Sequence, residues 1–290
     1  MPPSDLIANV VVAGVLTGLV YGLLALGLSV IFGVMRVVNF AHGELMTLAM
    51  YAAVLVCGAL ETDPFLMVLP IALVFFGLGY LLQASVINRF ITRPEHAQFL
   101  LLLAIATIGT NGQLMAFGPD ARGVMTDYQL DSIELGPLLI DTVRVYTAGA
   151  ALVTTALLFL FFRHSLLGKA IRACADNHLG ALVVGLPVSR LYALTFGLGT
   201  AAVAVAGTLM VLQLEVTPSL GPAFTLLSFV IVIVGGLGSM AGALVGGVLI
   251  GMSESLAGLF VTPSAKSMIS FGLLILVLLL RPAGLMGKSA

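Results

Sequence analysis

The sequence predicts an all-α fold, a polytopic transmembrane bundle of about eight or nine crossings. Three observations carry this. Of the 290 residues 60% are hydrophobic and 9% charged, with a mean hydropathy of +1.17, whereas a water-soluble domain carries roughly 25% charged residues. The apolar residues gather into runs long enough to cross a hydrocarbon core. The 33 glycines lie mostly inside those runs, where a missing side chain lets helix backbones approach. A net charge of −1, with Lys and Arg dispersed over loops, leaves no basic patch for nucleic acid. No repeat, linker or composition break divides the chain, so residues 1–290 are expected to form a single transmembrane domain.

The first run, 6–34, follows a segment with an acid and no Lys or Arg, so it lacks the basic leader of a cleaved signal and is expected to remain. The second, 38–60, opens on Asn39, His42, Gly43 and Glu44. Polar groups there are costly in hydrocarbon and need protein or water partners, which makes them candidates for a translocation path. Glu44 fits either a hydrogen-bonded structural acid or a contact for solute. Run 65–87 leads to Arg89 and Arg93. Run 98–118 carries Thr107, Thr110, Asn111 and Gln113; the first three are related by three or four positions and are expected on one face, lining a path or bonding a neighbouring helix.

Residues 119–144 hold five acids against Arg122 and Arg144, and form an acidic loop. Run 145–162 precedes a basic loop, about 163–189, in which Lys169, Arg172 and Asp176 recur at helical spacing and predict a short surface helix. After run 190–213, the stretch 223–260 would reach roughly 57 Å as one helix, nearly twice the hydrocarbon thickness. Gly235, Gly236, Gly238 and Gly242 mark its break; whether its second half spans or re-enters separates eight crossings from nine. Glu254 follows that break, as a pathway residue or one of a buried pair. A shorter run at 267–280 ends before Arg281 and Lys288.

Basic loops at 89–93, 163–190 and the tail are expected in the cytoplasm and the acidic loop outside, which puts the N-terminus outside. That scheme sets Arg36, and the start of the Asn39–Glu44 cluster, near the cytoplasmic face unless the first helix is broken. Gly18 with Gly22, Gly238 with Gly242, Gly242 with Gly246, and Gly247 with Gly251 have G-x-x-x-G spacing for helix packing or a subunit contact. Cys57 and Cys174 lack metal-ligand spacing and read as free thiols; no metal site is expected. Gly287-Lys288-Ser289 lacks the upstream glycine and the following helix of a phosphate loop. Gly251-Met252-Ser253-Glu254-Ser255 lacks the second glycine of a nucleophile elbow.

Asn39-Phe40-Ala41-His42-Gly43-Glu44 before an apolar helix resembles the permease subunits of branched-chain amino acid ABC importers. So do residues 16–28, Thr107-Ile108-Gly109, the Gly-rich stretch 235–243, and Arg281-Pro282-Ala283-Gly284-Leu285-Met286-Gly287. The pattern S-x-x-G-K-A-x-R-A-x-x-x-N, from Ser165 through Gly168, Lys169, Ala170, Arg172 and Ala173 to Asn177, is similar to the loop by which such permeases engage their ATPases, with Lys169 where Arg is more usual.

This resemblance implies an ABC importer permease fold and a translocation subunit in the bacterial inner membrane. It further implies a second related permease, two cytoplasmic ATPases that use ATP and Mg, a periplasmic solute-binding protein, and no cofactor on this chain. Relatives of the family import urea and short amides, so the solute stays open. Two other classes remain at this point: a stand-alone transporter or channel using Glu44, His42 and Glu254 as ion sites, and an intramembrane hydrolase using a Ser with His42.

Overall fold

The computed structural model describes residues 4–91, 93–136, 138–260 and 266–287; Lys288 and Ser289 lie outside them. Among the described residues eleven α-helices follow in order: α1 (Ser4–Met35), α2 (His42–Leu60), α3 (Pro64–Ser85), α4 (Glu95–Phe117), α5 (Thr142–His164), α6 (Leu166–Asp176), α7 (His178–Val183), α8 (Val188–Met210), α9 (Leu220–Gly235), α10 (Met240–Phe260) and α11 (Lys266–Leu280). Among the described residues seven are long and apolar enough to cross a membrane, and α9 and the apolar part of α11 are shorter. The chain is a multi-pass membrane protein.

α8 and α1 form the centre. α8 is buried along most of its length, since its small residues, Ala202, Ala204, Ala206 and Gly207 among them, let α1, α2 and α3 close around it. α3 and α4 lie at the periphery and turn Leu66, Leu69, Leu73, Leu100 and Leu103 outward, as lipid requires. α1 and α10 pack antiparallel with backbones nearly touching. A Cβ on Gly18 would lie 2.7 Å from the Gly247 carbonyl oxygen and from Val248 Cα, and one on Gly14 would lie 2.8 Å from Met252 Cα. Gly22 faces Leu244 in the same seam. These glycines therefore serve contacts within the chain.

The long apolar stretch breaks where the glycines predicted, between α9 and α10, with Gly236 and Gly238 at φ 108° and 77°, a region open to glycine at little cost. Gly242 and Gly246 sit beyond the turn, inside α10, against Gly235 and Ile231. The tail then folds back, and Leu285 and Met286 donate N–H bonds of 2.9 Å to the Val234 and Gly235 carbonyls. Those carbonyls, at the end of α9, have no partner of their own within the helix.

One feature departs from the sequence reading: the acidic loop contains a hairpin of β1 (Ser132–Leu135) and β2 (Leu138–Asp141). It meets α1 where the Leu139 N–H donates to Asn9 Oδ1 at 2.9 Å. We call this the hairpin end of the bundle, and the end carrying Arg89, Arg93, Arg163, Lys169 and Arg172 the basic end.

Candidate functional site: a carboxylate between two interrupted helices

α1 ends at Met35, at the basic end, and the chain does not start α2 there. Residues 36–41 run without helix and are buried at Val37, Asn39 and Ala41. Arg36 takes φ 53° to turn the chain back. α2 then begins at His42, whose Nε2 donates to the Leu24 carbonyl at 2.9 Å. Leu24 lies three turns inside α1, about 16 Å from its end and roughly half the ~30 Å hydrocarbon thickness. The cluster thus packs alongside the interior of α1 rather than at its basic end, where it was expected unless the first helix were broken; an interruption after that helix, not within it, carries the cluster inward. Non-helical backbone survives at such depth only when protein covers it.

α9 supplies the cover and is itself interrupted, starting at Leu220 after an irregular stretch at 211–219. The two helices meet antiparallel at their first turns. Gly43 N–H donates to Thr225 Oγ1 at 2.8 Å, which satisfies one of the four donors a helix start leaves open. A Cβ on Gly43 would meet the Gly221 carbonyl and lie 2.7 Å from the Thr225 nitrogen. Only glycine permits this approach. Phe40 wedges between α4 and α9, 4.7 Å from Phe99 and 5.2 Å from Phe229, ring centre to ring centre.

Glu44 occupies the junction and is 6% exposed. Its Oε1 accepts from Thr110 Oγ1 of α4 and its Oε2 from Thr225 Oγ1 of α9, each at 3.3 Å. Both bonds are longer than the ~2.7 Å of a strong O–H···O bond. Thr225 also lies 3.3 Å from the Phe40 carbonyl and has one proton for both acceptors. The carboxylate is therefore loosely held. Its backbone is not: the Glu44 carbonyl accepts from Gln113 Nε2 and Thr47 Oγ1, each at 3.1 Å. A Cβ on Gly221 would lie 3.2 Å from Glu44 Oε1, and one on Gly109 3.1 Å from Glu44 Cβ, so glycines of α9 and α4 shape the space around this side chain. The first turns of both α2 and α9 face it, and the positive ends of both helix dipoles favour negative charge there.

The other expected residues divide. Asn39 Oδ1 accepts the Ala41 N–H at 3.1 Å and shapes the bend into α2. His42 is a clamp onto α1, and its buried Nδ1 has no hydrogen-bond partner among the described residues. Thr107 and Asn111 do not share the face of Thr110: they are exposed on the outer side of α4, with Asn111 Nδ2 donating to the Thr107 carbonyl. Glu254 is not part of this site; it lies on α10 and accepts from Ser270 Oγ at 3.0 Å. Thr225, Gly221 and Gly109 as neighbours of Glu44 escaped the sequence reading, although a threonine one turn into an apolar helix that opens Gly-Pro was a readable signal.

At the basic end, Ser165 caps α6 by accepting the Gly168 N–H at 2.8 Å, and a Cβ on Gly168 would lie 2.7 Å from Phe162 Cα. Gly168 thus seats α6 under α5, while Lys169, Arg172, Ala173 and Asn177 are exposed and Ala170 half-buried. Asn177 caps the next helix, α7, by accepting the Gly180 N–H. Ile171 and Cys174 bury the opposite face of α6 with Val188, Leu191 and Tyr192. Burial pushes the Cys174 thiol pKa up.

A family profile described as branched-chain amino acid transport system, permease component, matches residues 10–278. The chain is 30% identical to the high-affinity branched-chain amino acid transport system permease protein LivH of Salmonella typhimurium, over 95% of this chain and 94% of that protein. It is 29% identical to BraD of Pseudomonas aeruginosa, over 96% and 94%, and 27% identical to a probable branched-chain amino acid transport permease of Methanocaldococcus jannaschii, over 91% and 88%.

Proposed function

This chain belongs to the family of branched-chain amino acid transport permeases, and on that premise we propose that it is the translocation subunit of an ATP-driven importer of branched-chain amino acids. The observation that carries the reading is Glu44, a loosely bonded carboxylate at mid-depth where two interrupted helices meet. Its weak threonine bonds can be exchanged for an ammonium group in passing. α4 separates this carboxylate from an outer face that carries Thr107 and Asn111 in what would otherwise be hydrocarbon. A second, related permease against α4 would cover those groups, while the path itself would run on the inner side of α4, past Glu44.

The basic end then lies in the cytoplasm and the hairpin end outside, in the bacterial inner membrane. α6 offers Arg172 and Lys169 to carboxylates of two cytoplasmic ATPases, which would use the ATP and Mg; a solute-binding protein would deliver its cargo at the hairpin end. No residue of this chain makes or breaks a covalent bond. Closure of the ATPases would push α6, and Ile171 and Cys174 would pass that motion to α8 through their shared packing. Access alternates as a shift between two packings.

Affinity purification of the chain from its native membrane, followed by leucine uptake into vesicles loaded with ATP, tests this. ATPase subunits should copurify and uptake should require ATP. Uptake by the purified chain alone, without nucleotide, would replace the reading with a stand-alone transporter.

A further inference from the structure

Two buried polar atoms lie on the hairpin side of Glu44 without a hydrogen-bond partner among the described residues: Gln113 Oε1 on α4 and the Tyr51 hydroxyl on α2. Gln113 is 4% exposed and Tyr51 0%. α2 and α4 run side by side toward the hairpin end, so the two residues stand at successive heights beyond the carboxylate. Gln113 is one turn beyond Thr110 and donates from Nε2 to the Glu44 carbonyl at 3.1 Å, which leaves its oxygen as the idle end of the amide. Tyr51 is two turns beyond Glu44, about 10 Å at 1.5 Å per residue, and its ring stacks on Phe117 with centres 4.2 Å apart. A buried polar group left unsatisfied costs free energy in the folded chain, and the cost calls for a reason. Phenylalanine at position 51 would keep the stack and avoid it.

A strap from the acidic loop fastens the end of this column. Arg122 Nη2 donates to the Phe117 carbonyl at 2.7 Å, and the guanidinium carbon lies 5.9 Å from the centre of the Phe117 ring. The Arg122 backbone also pairs with Val216 in both directions, at 3.0 and 2.7 Å. Gln129 adds a second tie, donating from Nε2 to the Leu212 carbonyl at 3.1 Å. Leu212 and Val216 belong to the irregular stretch 211–219 that leads into α9, whose first turns bring Gly221 and Thr225 to Glu44. The strap therefore holds both the aromatic pair and the approach to the helix that covers the carboxylate. Release of Arg122 would loosen the two together.

We propose that the solute path continues from Glu44 toward the hairpin end between α2 and α4, with Gln113 and Tyr51 as its next hydrogen-bonding groups and the Arg122 strap as its gate. The Gln113 oxygen accepts from the ammonium group of an amino acid, and the Tyr51 hydroxyl donates to its carboxylate. The choice of solute rests on the transport reading above. The gate is shut in this packing, where both residues are buried. Two groups that lack partners in the shut state gain them when solute enters, which offsets the cost of opening.

Tyr51→Phe separates a path residue from a packing residue. Its SDS unfolding midpoint should equal or exceed that of the unmodified chain, while Vmax/KM for leucine uptake by cells carrying the partner subunits should fall at least fivefold. Full uptake, or a lowered midpoint that reveals a structural partner for the hydroxyl, overturns the assignment. The gate is read in a background lacking Cys57 and Cys174, where Gln113→Cys should react slowly with an impermeant methanethiosulfonate added outside intact cells. Adding Arg122→Gln should raise that rate at least tenfold, and saturating leucine should slow it again. A rate that Arg122→Gln leaves unchanged overturns the gate; if that variant does not reach the membrane, Phe117→Ala, which removes the ring under the guanidinium, takes its place with the same expected rise. Failure of unmodified cells to take up leucine overturns the transport reading instead, and the labelling rates measured without solute still decide the gate.

Discussion

Replacing Gly43 by alanine places a methyl group between two helix starts that are already in contact. The added carbon would meet the Gly221 carbonyl, and it would lie 2.7 Å from both the Thr225 nitrogen and Thr225 Oγ1. Two of these three atoms are backbone, so α2 or α9 must shift. Overpacking of this kind costs about 1 to 3 kcal/mol. The shift also stretches the Gly43 N–H bond to Thr225, worth about 1 kcal/mol, while alanine returns about 1 kcal/mol through its better helix propensity. The balance is a loss of about 1 to 3 kcal/mol.

Gly58, near the other end of the same helix, is the control. Its Cβ would meet nothing within 4 Å, so Gly58→Ala should gain up to about 1 kcal/mol. The two variants should therefore differ by about 2 to 4 kcal/mol, which is roughly 30- to 1,000-fold in the unfolding constant at 1.4 kcal/mol per decade. Unfolding by SDS from mixed micelles reads the difference, and leucine uptake by cells reads its consequence. A Gly43→Ala protein that unfolds at or above the unmodified midpoint and transports fully would refute the argument from close approach.

Glu44→Gln keeps the size and one oxygen to accept from a threonine but removes the charge, and leucine uptake should fall at least tenfold with membrane levels unchanged; undiminished uptake would make Glu44 a structural acid only. In a cysteine-free background Ser132→Cys, exposed on β1, should react with an impermeant maleimide added to intact cells, and Asp176→Cys, exposed on α6, should not; the opposite pattern would invert the topology. Arg172→Glu should insert normally yet lose copurifying ATPases or uptake, and retention of both would move coupling away from α6. Burial raises the Cys174 pKa, so less thiolate is present at any given pH, and in permeabilised cells its alkylation at pH 8 should be at least tenfold slower than that of Asp176→Cys; equal rates would contradict the packing of α6.

Hydropathy located the spanning segments because lipid imposes it directly, and the glycine-marked break between α9 and α10 was legible because two positive-φ residues need glycine. The start of α9 was not: Ser219-Leu220-Gly221-Pro222 reads as a loop, yet proline is tolerated in a first helical turn, where its missing N–H has no intrahelical duty. The depth of Asn39–Glu44 was hidden for a related reason. Val37, Val38, Phe40 and Ala41 continue an apolar run whether the backbone is coiled or extended, and composition does not register the turn at Arg36. Glu44 and Thr110 were legible as polar atoms in apolar runs, but their meeting with Thr225 depends on a pairing across 181 residues that no local pattern encodes.

That separation sets a timetable for biosynthesis. α2 leaves the ribosome with its buried start incomplete, since the hydroxyl that caps the Gly43 N–H lies 182 residues downstream. At about 5 to 20 residues per second, synthesis of the interval takes roughly 9 to 36 s. Throughout that time the inserted N-terminal segments hold a polar helix start and a carboxylate that only the C-terminal third can cover. Nascent chains arrested before α9 should therefore be marked for quality control, and the chain should resist division into independently inserted halves.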